Sequence, residues 1–447
     1  MSAKFFDSNH PPKPELISEC VHCGFCLSTC PSYRVLGKEM DSPRGRIYLM
    51  DAIHTQEAGL SETSVEHFDS CLGCLACTTA CPSGVQYDRL IADTRNQIER
   101  QHPRSLGDWL TRQLIFQLFP YPQRLRLLLP LFWLYQQGLQ PLVRRTGLLQ
   151  RLAPRLAAME ATLPALNRKT LTAPAFPTII PAQGPKRYRV GMILGCVQQI
   201  FFHPVNAATA RVLSANGCEI VIPPNQGCCA ALPAHQGQEE QAKVLARQTI
   251  DRFEGSDVEF IIINAAGCGH TLKEYGHILA DDPAYAAKAQ AFAERVRDAQ
   301  EFLAAVGLTT PLSPLSGHAC SSSDGKPEEL TLVYQDACHL LHGQKISVQP
   351  RQLLRQIPGI RLREPVDAAL CCGSAGVYSL LQPEIASELG QQKARNLAAT
   401  GAQAIASPNP GCALQIRRHL ELQGQSLPVL HPLELLDLAI RGECLNL

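Results

Sequence analysis

Three hydrophobic rhythms divide the chain. In VQYDRLIADTRNQIERQ, residues 85–101, Leu90, Ile91, Thr94 and Ile98 fall on one helical face, which predicts an amphipathic helix. From residue 186 the rhythm changes to short, β-branched apolar runs, among them RYRVGMIL, EIVIP, EFIII and LTLVY. Segments with helical spacing separate these runs, such as VNAATARVLSANG and EEQAKVLARQTIDRFEG. That alternation predicts α/β units built on mostly parallel sheets. Between the two regimes lies a leucine- and arginine-rich stretch containing TRQLIFQLFPYPQRLRLLLPLFWLYQQ. Its prolines 120, 122 and 130 are expected to divide it into short helices. Further upstream, Ser42 followed by Pro43 predicts a capped helix start.

These shifts set an expected organisation of residues 1–100, a connector and linker over 101–185, and α/β regions over 186–310 and 325–447. The fold class is multidomain, α and α/β. A length of 447 residues supports more than one core. With 45% hydrophobic residues and a formal net charge of +1, the composition argues against wholesale disorder and against nucleic acid as a partner. The connector is locally different: between Arg104 and Arg155 there are eight arginines and one acidic residue, Asp108. Such a basic, apolar stretch suits packing on its own protein, a membrane surface or a partner.

Nineteen cysteines change the picture most. The polar opening MSAKFFDSNHPPKPEL has no secretory character, so a cytoplasmic location and reduced or metal-bound cysteines are expected. Two runs, CVHCGFCLSTCP and CLGCLACTTACP, both read C-x2-C-x2-C-x3-C-P. This is an iron–sulfur ligand pattern in which the fourth cysteine of one run ligates the other cluster. It assigns Cys20, Cys23, Cys26 and Cys81 to one [4Fe–4S] cluster, and Cys71, Cys74, Cys77 and Cys30 to a second. Pro31 and Pro82 turn the chain after the last ligand, and Gly24 and Gly73 allow tight folding between ligands. Arg44 and Arg46 stand nearby as donors to a cluster or to a partner carboxylate, or as part of a solvated helix start.

The α/β region carries an internal repeat. Cys196 precedes the Cys228–Cys229 pair by 31 intervening residues, and Cys268 follows after 38. For Cys338, the Cys371–Cys372 pair and Cys412 the intervals are 32 and 39. The cysteines fall near strand carboxyl ends, where open α/β sheets place their sites. Each set is a candidate for a further metal centre or redox role, or for small buried side chains. His339 and His342 lie beside the second set. Cys218, Cys320 and Cys444 fall outside both patterns and are expected to be ordinary thiols. No G-x-G-x-x-G after a strand, P-loop, zinc-protease helix or G-x-S-x-G elbow occurs. An electron carrier without a substrate motif points to one subunit of a larger oxidoreductase.

The two cysteine runs, the segment CVHCGFCLSTCPSYRVLGKEMDSPRGRIYL and the paired C-terminal repeats resemble the iron–sulfur subunits of bacterial glycolate oxidase (glycolate dehydrogenase). The repeats are similar to the CCG cysteine-rich domains also found in heterodisulfide reductase, anaerobic glycerol-3-phosphate dehydrogenase and lactate-utilisation proteins. The resemblance implies two [4Fe–4S] clusters on the eight N-terminal cysteines. It implies separate FAD-containing subunits that oxidise glycolate to glyoxylate, and no turnover by this chain alone. Electrons would pass to a quinone-type membrane acceptor, with the chain peripheral on the cytoplasmic face. The first repeat reads CCA, with Ala230 in place of the glycine that the second keeps as Gly373. Thr271 and Gln415 stand where full CCG domains have another cysteine. Four thiols per copy therefore leave a cluster, zinc or neither open. The other readings are the iron–sulfur subunit of a lactate or glycerol-3-phosphate dehydrogenase, a thiol/disulfide enzyme like heterodisulfide reductase, and a structural scaffold.

Overall fold

A computed structural model describes residues 4–147, 151, 154–316 and 329–445. In the α/β region, β1 (Ile179–Ile180), β2 (Tyr188–Met192), β3 (Cys218–Val221), β4 (Phe260–Ile263) and β5 (Val296–Asp298) form one sheet. Its order is β1-β3-β2-β4-β5, parallel except for β1, which pairs antiparallel with β3. The second sheet contains β6 (Leu330–Tyr334), β7 (Ile360–Arg363), β8 (Ala404–Ala406) and β9 (Val429–Leu430). It is wholly parallel, in the order β7-β6-β8-β9. Setting β2 to β5 against β6 to β9 gives the same order in both, so the cysteine repeat is also a repeat of topology.

The copies share a core. Val190, Met192 and Ile262 of the first sheet belong to one buried cluster with Leu332 and Tyr334 of the second. Helices His203–Ala215 and Pro432–Arg441 pack across the junction, where Arg211 holds Asp437 through two bonds of 2.8 and 2.6 Å. His431 caps the second of these helices and donates from Nε2 to the Asn264 carbonyl of the first copy at 2.8 Å. The two repeats are thus joined by apolar burial, one ion pair and one buried hydrogen bond.

The N-terminal region is helical around Ile47, Met50, Ile53, Phe68, Leu90, Ile91 and Ile98. Helix Tyr87–Gln101 buries the stripe expected for it. Ser42 accepts from the Gly45 amide at 3.0 Å and starts helix Pro43–His54, with Pro43 in its first turn.

The connector departs from expectation at one proline. Pro122 opens helix Pro122–Gly138, but Pro130 lies inside that 17-residue helix without ending it. Proline's fixed φ is compatible with a helix, and Leu125 and Leu129 of this segment pack against Ile200, which outweighs the lost backbone bond. The linker also contributes β1, so its proline-dotted sequence supplies an edge strand. Cys218 is a free, buried thiol, whereas Cys444 is disulfide-bonded, contrary to the expectation for it. Cys320 and residues 317–328 of the inter-repeat loop lie outside the described residues.

Candidate functional site

The two N-terminal runs fold alike, residue for residue. Positive φ angles recur at the second and fourth positions after the first cysteine: His22 (53°) and Gly24 (87°) in one run, Gly73 (63°) and Leu75 (63°) in the other. Each run therefore makes two left-handed turns with glycine at only one of them. The last cysteines, Cys30 and Cys81, are extended at φ −80° with ψ of 115° and 116°. Turns of this kind bring successive sulfurs to a common side.

The sulfurs separate into the two expected groups. Burial pushes the Cys20 thiol up, and the adjacent Cys81 and Cys23 sulfurs push the same way. Cys26 is likewise raised by burial, with Cys20 and Cys30 as its nearest like charges. In the other group, Cys30, Cys71, Cys74 and Cys77 all border one cavity of about 20 Å³. Cys74 and Cys77 are raised well above the ordinary thiol range by burial and by each other's company. Each set of four thiols fits a group that takes soft sulfur ligands and supplies one-electron transfer when bound. Among the described residues, no three His, Cys, Asp or Glu side chains converge closely enough to hold a single metal ion.

The groups differ in exposure. Cys23 is exposed, flanked by Val21 at 68% and Phe25 at 67% accessibility, whereas the other set is buried throughout. Arg46, fully buried, stands beside that buried set. It donates to Ser32 Oγ at 3.0 Å, Ser70 Oγ at 2.7 Å and the His67 carbonyl at 2.6 Å, with Asp41 at 3.8 Å. Burial alone would raise Cys71, but Arg46 and Arg95, helped by the Gly73 amide and the Tyr87 hydroxyl, bring it below the ordinary value. Arg95 also donates to the Cys71 carbonyl at 2.5 Å and the His235 carbonyl at 2.9 Å. The spacing of the cysteines gave no hint of Arg95, Tyr87 or His235; an arginine on the buried stripe of an amphipathic helix was the available signal. Arg44 instead pairs with Glu39 at 2.6 Å and donates to the His22 carbonyl at 3.0 Å.

The C-terminal sets sit just past the strand ends. Cys196 and Cys338 each lie four residues beyond β2 and β6. The sulfurs form two contact chains, Cys196–Cys228–Cys229–Cys268 and Cys338–Cys371–Cys372–Cys412. Contact with the next thiol, then burial, pushes Cys196 and Cys338 well above the ordinary value. Ala230 keeps the left-handed backbone of its glycine counterpart, with φ of 69° against 82° at Gly373. Thr271 bonds the Gly267 carbonyl, and Gln415 the Ala386 carbonyl.

Both chains open into one cavity of about 230 Å³ between the repeats. Across it His235 and His339 lie with ring centroids 4.8 Å apart, and His270 lies 5.0 Å from His339. Burial first, then the neighbouring imidazoles, pushes His270 down to about 3. The N-terminal region meets the second repeat directly. Cys74 shares a buried cluster with Leu370, Cys371 and the partly buried Cys338. Tyr378 donates to the Ser70 carbonyl at 2.9 Å, and His342 bonds Thr79 Oγ1 at 3.0 Å.

Comparison with known proteins matches this arrangement part by part. A 4Fe-4S dicluster domain model covers residues 16–85, and a cysteine-rich domain model covers 190–273 and 332–417. The connector decides between relatives: residues 107–163 match the linker region of the glycolate oxidase iron-sulfur subunit. A "Probable glycolate oxidase iron-sulfur subunit" of Bacillus subtilis is 40% identical, over 91% of this chain and 90% of its own length. The "Glycolate oxidase iron-sulfur subunit" of Escherichia coli is 34% identical, over 96% and 95%. The chain belongs to the glycolate oxidase iron–sulfur subunit family. It is thus an electron-transfer subunit of an oxidoreductase complex, with a 4Fe-4S dicluster domain and two cysteine-rich domains. "Lactate utilization protein A" of Shouchella clausii, 27% identical, corresponds to only 56% of this glycolate oxidase family member, though to 98% of its own length. No described helix of this family member is long and apolar enough to cross a membrane.

Proposed function

We propose that this subunit accepts electrons from FAD-containing partner subunits that oxidise glycolate to glyoxylate, and delivers them toward a quinone-type acceptor. In this reading Cys20, Cys23, Cys26 and Cys81 hold one [4Fe–4S] cluster, and Cys71, Cys74, Cys77 and Cys30 a second. The exposed Cys23 edge, with Val21 and Phe25, faces the electron donor. The buried set hands on to the cysteine-rich domains, whose two thiol chains are candidates for a further metal centre.

The observation that carries the reading is the burial of Cys74 against Cys338 and Cys371. A dead-end scaffold has no need to bury a ligand of its inner set against the redox-capable residues of another domain. Glycolate is favoured over lactate because the connector, which the lactate-utilisation match leaves no room for on its own length, carries the glycolate oxidase linker pattern. The chain itself has no flavin or substrate site in this reading and is inactive alone.

The test is anaerobic addition of glycolate to the complex co-purified with its flavoprotein partners. Bleaching of the visible iron–sulfur absorption is expected, with none in the isolated chain. Glycolate turnover by the isolated chain, or a complex whose clusters stay oxidised during turnover, contradicts the reading.

A further inference from the structure

The cavity between the repeats has the chemistry of a binding site. Its wall is assembled from four parts of the chain: Leu72 from the dicluster domain, Met159 and Leu163 from the connector, and the two cysteine-rich domains. At about 230 Å³ it exceeds the roughly 150 Å³ of a cavity that takes benzene, and its lining is mainly apolar. One wall carries both thiol chains, and Cys338 on that wall adjoins Cys74. Electrons arriving at the buried cysteine set therefore reach this wall by the shortest protein route.

One polar group there lacks a partner. Gln198 is 3% exposed, and its Nε2 donates to Asn264 Oδ1 at 2.8 Å, which fixes the amide. Its Oε1 has no hydrogen-bond partner. A buried acceptor left unpaired costs about 1–3 kcal/mol, and a hydroxyl or N–H in the cavity would remove that cost.

The approach to the cavity is apolar as well. Beside Gln198, Ile200 packs under Leu125 and Leu129 of helix Pro122–Gly138. The other side of that helix shows Leu127, Leu131 and Leu134 to solvent. The preceding helix likewise exposes Leu106, Trp109, Leu110 and Leu114. Arg144 on the following helix is half exposed, with its charge shared only with Glu160. An apolar surface with basic residues at its border suits the surface of an anionic membrane, where a lipid-soluble acceptor resides.

We propose that this cavity binds the ring of a quinone, with Gln198 Oε1 accepting from the quinol hydroxyl and the exposed connector leucines meeting the membrane that supplies it. The inference rests on the proposed delivery of electrons to a quinone and adds the place where that happens. The balance closes: oxidation of one glycolate to glyoxylate releases two electrons and two protons. Reduction of one quinone to quinol consumes two electrons, arriving singly through the cysteine sets, and two protons from water.

The experiment uses the complex with its flavoprotein partners, a short-tailed benzoquinone and a photoreactive analogue of it. The label is expected on Met159, Leu163 or residues 195–201 of the wild-type complex, and excess benzoquinone should compete it away. Leu232→Trp, which fills the cavity, and Gln198→Leu should each raise the KM for the benzoquinone at least tenfold with iron content unchanged. Label elsewhere, or label that benzoquinone does not displace, overturns the assignment while glycolate-driven quinone reduction continues. A wild-type complex that reduces a soluble dye with glycolate but never a quinone overturns the functional reading, and the assignment with it. The photolabel needs no variant, so a misfolded Leu232→Trp chain leaves the outcome decided.

Discussion

His339 of the second cysteine-rich domain donates from Nε2 to the carbonyl of Gly73, 2.8 Å away, inside the ligand loop between Cys71 and Cys74. The bond joins residues 266 positions apart and fixes the loop of the buried cysteine set to the wall of the inter-repeat cavity. Removing the donor leaves a buried carbonyl unpaired, at about 1–3 kcal/mol. His339→Ala is expected to lower stability by that amount in urea unfolding and to alter the EPR spectrum of only one reduced cluster. His339→Gln, which retains an N–H donor, should restore much of both. Identical spectra in all three chains would show that the loop is held by other contacts.

Arg46 and Arg44 stand two residues apart with opposite expected sensitivities. Arg46 is buried among Ser32, Ser70, Asp41 and the His67 carbonyl, so Arg46→Met leaves the Asp41 carboxylate buried without its cation. A loss of about 3–5 kcal/mol is expected, with reduced iron at the buried set. Arg44 pairs with Glu39 near the surface, and Arg44→Met should cost less than about 1 kcal/mol. Urea titration and iron analysis of both variants check the contrast.

The backbone at the vicinal pairs makes a reciprocal prediction. A Cβ at Gly373 would lie 2.5 Å from the Ala386 carbonyl oxygen at φ of 82°, so Gly373→Ala should destabilise by about 2 kcal/mol or more. Ala230 already holds φ of 69°, and Ala230→Gly should stabilise by about 1 kcal/mol by relieving that strain. Thermal unfolding of the two variants should therefore move in opposite directions.

His431 makes the repeat junction acid-sensitive. Burial pushes its imidazole from the ordinary 6.5 down to about 4, against the opposing effect of its bond to the Asn264 carbonyl. A depressed imidazole contributes stability that is complete above pH 6.5 and is lost as the pH falls toward 4. The loss amounts to about 3 kcal/mol at most. His431→Asn, which retains a capping side chain, should flatten this part of the profile in urea unfolding measured from pH 7.5 to 4.5.

Much of this was legible in the chain because the informative signals were local. Short apolar runs ending near cysteines marked the central strands, and two equal interval sets marked the repeat, which the sheets reproduce as a common strand order. Ser42 and Pro43 marked a helix start from adjacent residues alone. Pro130 misled because the packing of Leu125 and Leu129 on a distant helix outweighs one missing bond. His22 and Leu75 were silent because non-glycine residues in left-handed turns leave no mark in the sequence. The meeting of Cys74 with Cys338, and the placing of Arg95 against the Cys71 carbonyl, depend on tertiary docking that no spacing encodes.

The central claim is a two-cluster relay filled by glycolate through a partner, and one measurement tests it most directly. The complex containing wild-type or Cys74→Ser chain is mixed anaerobically with glycolate, and the reduced clusters are read by EPR alongside iron content. Two magnetically interacting [4Fe–4S]⁺ signals and about eight irons in those cubanes are expected for wild type. One signal and about four fewer irons are expected for Cys74→Ser. Full iron in Cys74→Ser, or wild-type clusters that glycolate leaves oxidised while glyoxylate accumulates, would contradict the account.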